Sequence, residues 1–287
     1  MRHNLGDLLF ENIARLMAFS VLVLLVAIFY ILWLDAKPAI DAYGFSFMTS
    51  DFWAPNMEQF GALPSIYGTS VTTILAMIMA TPLAIGIAIF LSEIAPDFLK
   101  KIVGAMIELL AAIPSVVYGM WGLFYFVPII REFTGDSGIG ILTGSIILAI
   151  MIIPFTAAVT RDSMDTTPDI LKESAYALGA TKWDVIKDVI IPYAKVGIIG
   201  AVILSLGRAL GETMAVTFVM GNAQRIPEKI TEPATSIPVT LANEFAEADS
   251  AMYYSALFYL ALILFAISFV IIAIAKFLFL KKVNKYV

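Results

Sequence analysis

Two charged side chains lie in the middle of an otherwise apolar stretch. Arg208 and Glu212, in the run GRALGETMAV, are four residues apart, so a continuous helix would present both on one face. A charge at the centre of a membrane-spanning helix costs about 2.5–3.5 kcal/mol and indicates a functional role. The planar guanidinium of Arg208 suits the oxygens of an oxyanion, and Glu212 would hold and partly neutralise Arg208 when no anion is bound. The alternative is a permanent ion pair that only fixes helix packing.

Other polar side chains inside apolar stretches are weaker candidates for the same path. Ser115 and Tyr118 follow Pro114, which we expect to kink its helix because proline removes a backbone hydrogen bond. Four hydroxyl side chains of the second span either face the path or bond their own helix backbone, and the sequence leaves both alternatives open; they are Thr69, Ser70, Thr72 and Thr73.

The chain has no cysteine and one histidine, His3, so we predict no metal site.

The apolar stretches define the elements that must position these residues. Hydrophobic residues make up 60% of the chain and charged residues only 14%, and the mean hydropathy of +0.91 excludes an ordinary soluble domain. We predict an all-α, polytopic membrane protein with a leader at 1–15 and a single transmembrane domain at 16–287. Stretches long enough to span a bilayer, which takes about 20 residues, predict six transmembrane helices near 16–34, 66–91, 102–130, 139–159, 193–220 and 253–280.

The distribution of lysine and arginine predicts how this bundle is oriented. With the N-terminus inside, four of the 18 basic residues lie outside and Arg208 lies in the membrane, which leaves thirteen in cytoplasmic segments. That excess follows the positive-inside rule. Both termini and the loop at 160–192 are therefore predicted to be cytoplasmic.

The 160–192 loop carries signals for two short helices joined by a sharp bend. Thr167 suits an N-cap with Pro168 at the first helical position, and Gly179 suits a helix terminator. Thr181 with Asp184 suits the start of the second helix. The loop also has three apolar anchors, as expected of a helix that lies in a groove on a partner; they are Trp183, Val185 and Ile186.

The same loop resembles the EAA loop of ATP-binding-cassette (ABC) importer permeases. Seven residues occupy the places of that pattern without an insertion: Glu173, Ser174, Ala175, Gly179, Val189, Ile191 and Pro192. The resemblance implies the type I permease fold, with a cytoplasmic coupling-helix loop that seats in an ATPase subunit. The residues that it assigns to this coupling are Glu173, Ala175, Gly179, Thr181 and Trp183. The chain lacks a Walker A glycine loop, so we expect a transport subunit rather than an enzyme, with ATP and Mg²⁺ on the partner ATPase.

Three further runs resemble the C-type permease subunit of phosphate-specific importers: GRALGETMAV followed by Gly221 and Asn222, FGALPSIYGT at 60–69, and AAIPSVVYGMWGLF at 111–124. Met214 and Ala215 favour the C type over the sister A type. The resemblance implies import of inorganic phosphate across a prokaryotic inner membrane. It also implies a heterodimer with an A-type permease, two ATPase subunits, and a periplasmic or cell-surface phosphate-binding protein. Membrane lipid is the remaining expected contact, and nucleic acid is not expected.

Two alternatives to phosphate import stay open. Related permeases carry molybdate or sulfate, and an arginine alone does not distinguish tetrahedral oxyanions. A mainly regulatory role, in which the chain reports phosphate sufficiency, is compatible with the same motifs. The outer loop at 221–252 is longer than joining two helices needs, so we expect either a docking surface for the binding protein or a plug, with a short helix near 239–248.

Overall fold

The computed structural model describes residues 5–283, and within that range all the extended elements are helical, as predicted. Residues 1–4 of the predicted leader lie outside the described residues, and residues 5–15 continue into the first helix without a break. Numbered along the chain, the main helices are α1 (Leu5–Tyr43), α2 (Leu63–Ile94), α3 (Asp97–Ala111), α4 (Ser115–Thr134), α5 (Ile141–Asp165), α6 (Asp169–Ala177), α7 (Lys182–Leu210), α8 (Met214–Met220), α9 (Ile237–Glu244) and α10 (Ala251–Val283).

Six of the helices described here are long and apolar enough to cross a membrane: α1, α2, α4, α5, α7 and α10. This confirms the predicted number of spans. Between α1 and α2 lie a short helix, Ser46–Thr49, and a 3-10 turn, Pro55–Met57. We use the name EAA-loop end for the end of the bundle that carries α6, and outer-loop end for the end that carries α9.

The third predicted span, 102–130, is wrong as a single helix. The chain breaks before Pro114, whose backbone is extended and which precedes the first residue of α4. Proline disfavours helical geometry in the residue before it, so α3 ends and a new helix starts. Pro114 thus separates two helices and does not kink one. The carboxylate of Glu108 on α3 lies 3.1 Å from the guanidinium of Arg161 on α5, which fixes α3 beside α5.

The fifth predicted span, 193–220, is also interrupted. Helix α7 ends at Leu210 and α8 begins at Met214, so residues 211–213 are not helical. The side-chain Oε1 of Glu212 accepts a hydrogen bond from the Ala215 N–H at 3.1 Å and so caps the start of α8. Arg208 and Glu212 therefore do not share one continuous helical face, contrary to the prediction.

Helix α5 forms the centre of the bundle. It packs against α2, α3, α4, α7 and α8, and its side chains Ile147, Leu148, Met151 and Ile152 are buried in one cluster with residues of α2 and α8. Helix α1, in contrast to α5, packs chiefly along one other helix, α10. There the Ser255 hydroxyl donates to the Asp35 carbonyl at 2.8 Å and accepts from the Ala39 N–H at 2.9 Å.

After α8 the chain turns back into the bundle at the outer-loop end. Residues 234–240, here called the re-entrant segment, are all buried. The Ile237 N–H donates to Thr69 Oγ1 on α2 at 2.8 Å, and the hydroxyls of Ser65 and Thr240 are 3.0 Å apart. The predicted short helix exists as α9, two residues earlier at its start. Of the two uses considered for this loop, the plug is the one that this packing favours.

Candidate functional site

Arg208 lies in the last turn of α7 with its side chain exposed on the surface of this chain. Its guanidinium carbon is 5.9 Å from the centroid of the Phe155 ring on α5, a cation–π distance. Among the described residues no salt bridge joins it to Glu212, so the predicted ion pair is wrong. An arginine on a membrane-spanning helix is costly in contact with lipid. The exposed side of Arg208 therefore belongs against another protein or a water-filled path.

Glu212 and Thr69 meet at a different place, a small cavity of about 10 Å³ between α2, α7 and the re-entrant segment. The cavity has room for about one water molecule. Ser236 and Thr72 also line it, and the structure gives neither hydroxyl a hydrogen-bond partner. The structure thus brings together Glu212 and Thr69, two of the predicted path residues, and directs Arg208 elsewhere.

Ser236 is the residue of this cavity that sequence reasoning missed. It belongs to a proline-containing loop with no apolar run, and nothing in the local pattern indicates that the loop returns into the bundle. The next residue, Ile237, holds the segment in place through its N–H, which donates to Thr69 on α2, a helix more than 160 residues earlier in the chain. Only contacts distant in sequence place it at the site.

The structure gives the Tyr118 hydroxyl a structural partner, and a role of Ser115 or Tyr118 on the path stays a prediction. The Tyr118 hydroxyl donates to the Leu110 carbonyl at 2.9 Å and so closes the corner between α3 and α4. Beside it lies a cavity of about 290 Å³ whose lining is apolar apart from the Tyr118 hydroxyl and the Trp121 indole N–H. Ser115 is half-buried at the first residue of α4.

The EAA loop contains the predicted bend. Helix α6 ends close to Gly179, whose φ of +87° is in the left-handed region that favours glycine. The next helix starts with a reciprocal capping box, in which the Thr181 hydroxyl accepts from the Asp184 N–H and the Asp184 carboxylate accepts from the Thr181 N–H. The first helix start was predicted one residue early: Pro168 is the N-cap, and Thr167 is buried.

The exposed side of the EAA loop is unusually apolar. Leu178 is 90% exposed and Trp183 61% exposed, and Glu173 and Thr181 lie on the same loop surface, whereas Ala175 is half-buried. Large exposed apolar side chains close together mark interaction sites.

The assignment of Val185 and Ile186 as partner anchors is wrong. Both are buried within the chain, in a cluster with Ala88 of α2, Met164 of α5 and Ile190. They follow the capped start of α7, where its apolar face turns toward the bundle. Their role is to attach the loop to the membrane helices.

A family comparison agrees with this loop and bundle. Residues 80–283 match the family model described as "Binding-protein-dependent transport system inner membrane component". The chain belongs to this permease family. Together with the six apolar helices, membership makes it a multi-pass inner-membrane permease subunit.

Curated relatives of this permease are similar over nearly their whole length. It is 48% identical over 300 residues to the "Phosphate transport system permease protein PstC" of Mesorhizobium japonicum, covering 98% of this chain and 92% of the relative. The PstC of Pasteurella multocida is 47% identical, with 98% and 94% covered. A "Probable phosphate transport system permease protein PstC" of Methanocaldococcus jannaschii is 34% identical, with 94% and 92% covered.

Solved structures show the same fold at much lower identity. A chain of a bacterial alginate ABC transporter, solved in complex with an alginate pentasaccharide-bound periplasmic protein, superimposes with a TM-score of 0.64 at 17% identity. That match covers 94% of this permease and 95% of that chain. A chain of the MetNI methionine ABC transporter gives a TM-score of 0.61 at 18% identity, covering 77% and 94%. The predicted type I permease fold is confirmed.

Proposed function

We propose that this permease is the C-type transmembrane subunit of an ATP-driven importer of inorganic phosphate. The observation that carries the proposal is the near-complete similarity to proteins named PstC, at 48% and 47% identity. The exposed Arg208 adds a group suited to phosphate oxygens at the surface of a membrane helix. An importer of sulfate or molybdate would use a similar arginine, but no curated relative described above supports it.

The proposed complex has the composition implied by the family. A sister A-type permease would cover the face that carries Arg208, which is too costly to leave in lipid. Two ATPase subunits, which hold ATP and Mg²⁺, would bind the EAA loops through the exposed Leu178 and Trp183. A phosphate-binding protein would deliver the anion at the outer-loop end. Both termini and the EAA loop would then be cytoplasmic, in agreement with the lysine and arginine distribution.

In this mechanism the path opens alternately to the two sides of the membrane. ATP binding closes the ATPase subunits, the EAA loops move with them, and the outer-loop end opens to the binding protein. Arg208 holds the phosphate oxygens as the anion passes between the two permeases. The re-entrant segment closes the outer-loop end once the path opens to the cytoplasm.

Uptake of labelled phosphate into vesicles tests the proposal. The vesicles hold this permease with its sister permease and the ATPase, and the binding protein is added with ATP. Uptake that needs both ATP and the binding protein is the expected result. If a well-assembled complex imports sulfate or molybdate but not phosphate, the assignment as an ATP-driven importer stands and the assignment of phosphate as its substrate is refuted.

The bend at Gly179 gives a prediction for coupling. Gly179→Ala should lower ATP-driven uptake several-fold, because a side chain in the left-handed region costs about 1–2 kcal/mol, and Gly179→Pro should lower it further. Apart from its chain neighbours, no described residue has a heavy atom within 4 Å of the added Cβ, so the effect is one of backbone geometry and not of crowding. Gly200→Ala is the matched control, since that glycine is also uncrowded but has an ordinary φ. Equal uptake by the two alanine variants would show that the bend does not matter.

A further inference from the structure

An ion pair joins the EAA loop to the end of α2. Lys172 Nζ on α6 lies 2.7 Å from Glu93 Oε1, and the two side chains are only 18% and 10% exposed. A pair this well shielded from water holds its geometry more firmly than a surface pair. Among the side chains that the structure describes, at 9–277, it is the one salt bridge that connects α6 to a membrane helix.

The residues around Glu93 make further polar contacts. The Ser92 hydroxyl donates to Asp165 Oδ1 at 2.5 Å, and Lys100 Nζ donates to the Ser92 carbonyl. Residues Phe90–Ile94 form a π-helical turn at this end of α2, a rare geometry that often occurs at functional positions. The end of α2 is therefore a junction of α5, α3 and α6.

The opposite end of the same helix holds the re-entrant segment. Thr69 accepts the hydrogen bond from the Ile237 N–H, and Ser65 pairs with Thr240. Gly68 is so close to Thr235 that an added Cβ would lie 1.7 Å from its carbonyl oxygen. Glu93 is 24 residues from Thr69 along α2, about 36 Å at 1.5 Å per residue. One helix thus contacts the EAA loop at one end and the re-entrant segment at the other.

The face of α2 toward the bundle suits movement as a unit. Four alanines recur at every fourth position on this face, and each is at most 1% exposed; they are Ala76, Ala80, Ala84 and Ala88. Small side chains allow close approach and a smooth contact with α5. Small sliding of packed helices is an established mode of domain movement. Pro82 removes one backbone hydrogen bond of α2, but the alanine contacts on both sides of it keep the two halves against α5.

We propose that Lys172 and Glu93 are positioning residues for transport, whose ion pair makes α2 follow α6 and so transmits movement of the EAA loop to the re-entrant segment. The inference rests on the proposed docking of α6 to an ATPase. It goes beyond that docking because it assigns α2 as the helix that carries the movement of α6 to the outer-loop end. Neither residue touches the substrate.

The test uses the complete complex in vesicles and two measurements. The first is the amount of phosphate imported per ATP hydrolysed. The second is modification, by a thiol reagent, of a cysteine introduced as Ser236→Cys, read from the mass of this chain. The chain has no cysteine of its own, and Ser236 is buried, so its modification reports opening of the re-entrant segment.

Lys172→Gln and Glu93→Gln are each expected to lower phosphate imported per ATP at least tenfold and to abolish the ATP-dependent modification of the Ser236→Cys reporter. The reversed pair, Glu93→Lys with Lys172→Glu, should restore most of both. Lys172→Arg, which keeps the charge, should retain both. Lys101→Gln is the matched control, because it removes one exposed lysine at the same end of the bundle.

The double variant Glu93→Gln with Lys172→Gln leaves no unpaired charge. If a single variant fails to assemble, the double variant is used to test whether the ion pair is needed for coupling. An assembled Lys172→Gln or double variant with wild-type coupling and wild-type modification would overturn the proposal. The wild-type complex separates the two levels of inference. If the wild-type complex imports no phosphate, the proposed substrate is refuted. The ATP-dependent modification of the Ser236→Cys reporter, compared between wild type and variants, still tests the proposed role of the Lys172–Glu93 pair.

Discussion

Arg208→Gln is expected to lower phosphate uptake about 100-fold or more while the complex still assembles. Loss of a charged partner from a desolvated, hydrogen-bonded contact costs about 2–5 kcal/mol, and 2.7 kcal/mol corresponds to 100-fold. The guanidinium lies over the Phe155 ring, and no salt bridge joins it to the part of the chain that the structure describes, so the substitution leaves no buried charge behind there. The fold should therefore tolerate it.

Labelled phosphate uptake and recovery of the purified complex measure the two parts of this prediction. Arg208→Lys should be intermediate, since it keeps the charge but loses the planar fork of donors. Arg131→Gln is the matched control, because Arg131 is an exposed arginine in the last turn of α4 and its loss should change uptake less than twofold. A complex that no longer assembles with Arg208→Gln would show a structural role instead.

Gly68→Ala is expected to displace the re-entrant segment and to lower ATP-driven uptake at least tenfold. The added Cβ would lie 1.7 Å from the Thr235 carbonyl oxygen and 2.9 Å from the Met220 side chain. Backbone cannot yield as a flexible side chain does, so α2 and the segment must separate by more than 1 Å. Overpacking of this kind costs about 1–3 kcal/mol or more. Because the Thr69 hydrogen bond lies one residue further along α2, the separation should break it as well.

The Ser236→Cys reporter measures this displacement directly. Combined with Gly68→Ala, it should react with a thiol reagent without ATP. Gly86→Ala is the control in the same helix, because the added Cβ meets no described residue outside its own helix turn within 4 Å, and alanine is the better helix former. That variant should import phosphate normally. Reactivity that is equal in the two variants would contradict a closing role for this contact.

Sequence patterns predicted the spans and the EAA bend because both depend on local physics. Apolar length decides whether a helix can cross a bilayer, and Gly179, Thr181 and Asp184 set their own backbone geometry. The two spans predicted as single helices, 102–130 and 193–220, are each interrupted in the structure. Pro114 separates two helices where the sequence predicts a kink, and the predicted span at 193–220 contains a break after Leu210.

The candidate site was predicted less well because its contacts are distant in sequence. Glu212 lies in a break, and its carboxylate caps α8, so spacing along an assumed continuous helix paired it with the wrong residue. Thr69 joins it through a segment that returns from 168 residues further along the chain. Polar loop residues give no periodic signal for such a return, and Ser236 could not be placed without the structure.

The packing of α1 along α10 bears on the order in which the chain is made. Asp35 and Ala39 bond to Ser255, which is synthesised more than 200 residues later. At about 5–20 residues per second, translation takes roughly 10–40 s to cover that interval. Helix α1 therefore lacks its principal neighbour until the last span is made, although its end can already pack against Phe47 and Phe60. Truncation before α10 would leave α1 permanently without its principal neighbour, so quality control that recognises unpacked spans would act on the chain's first helix.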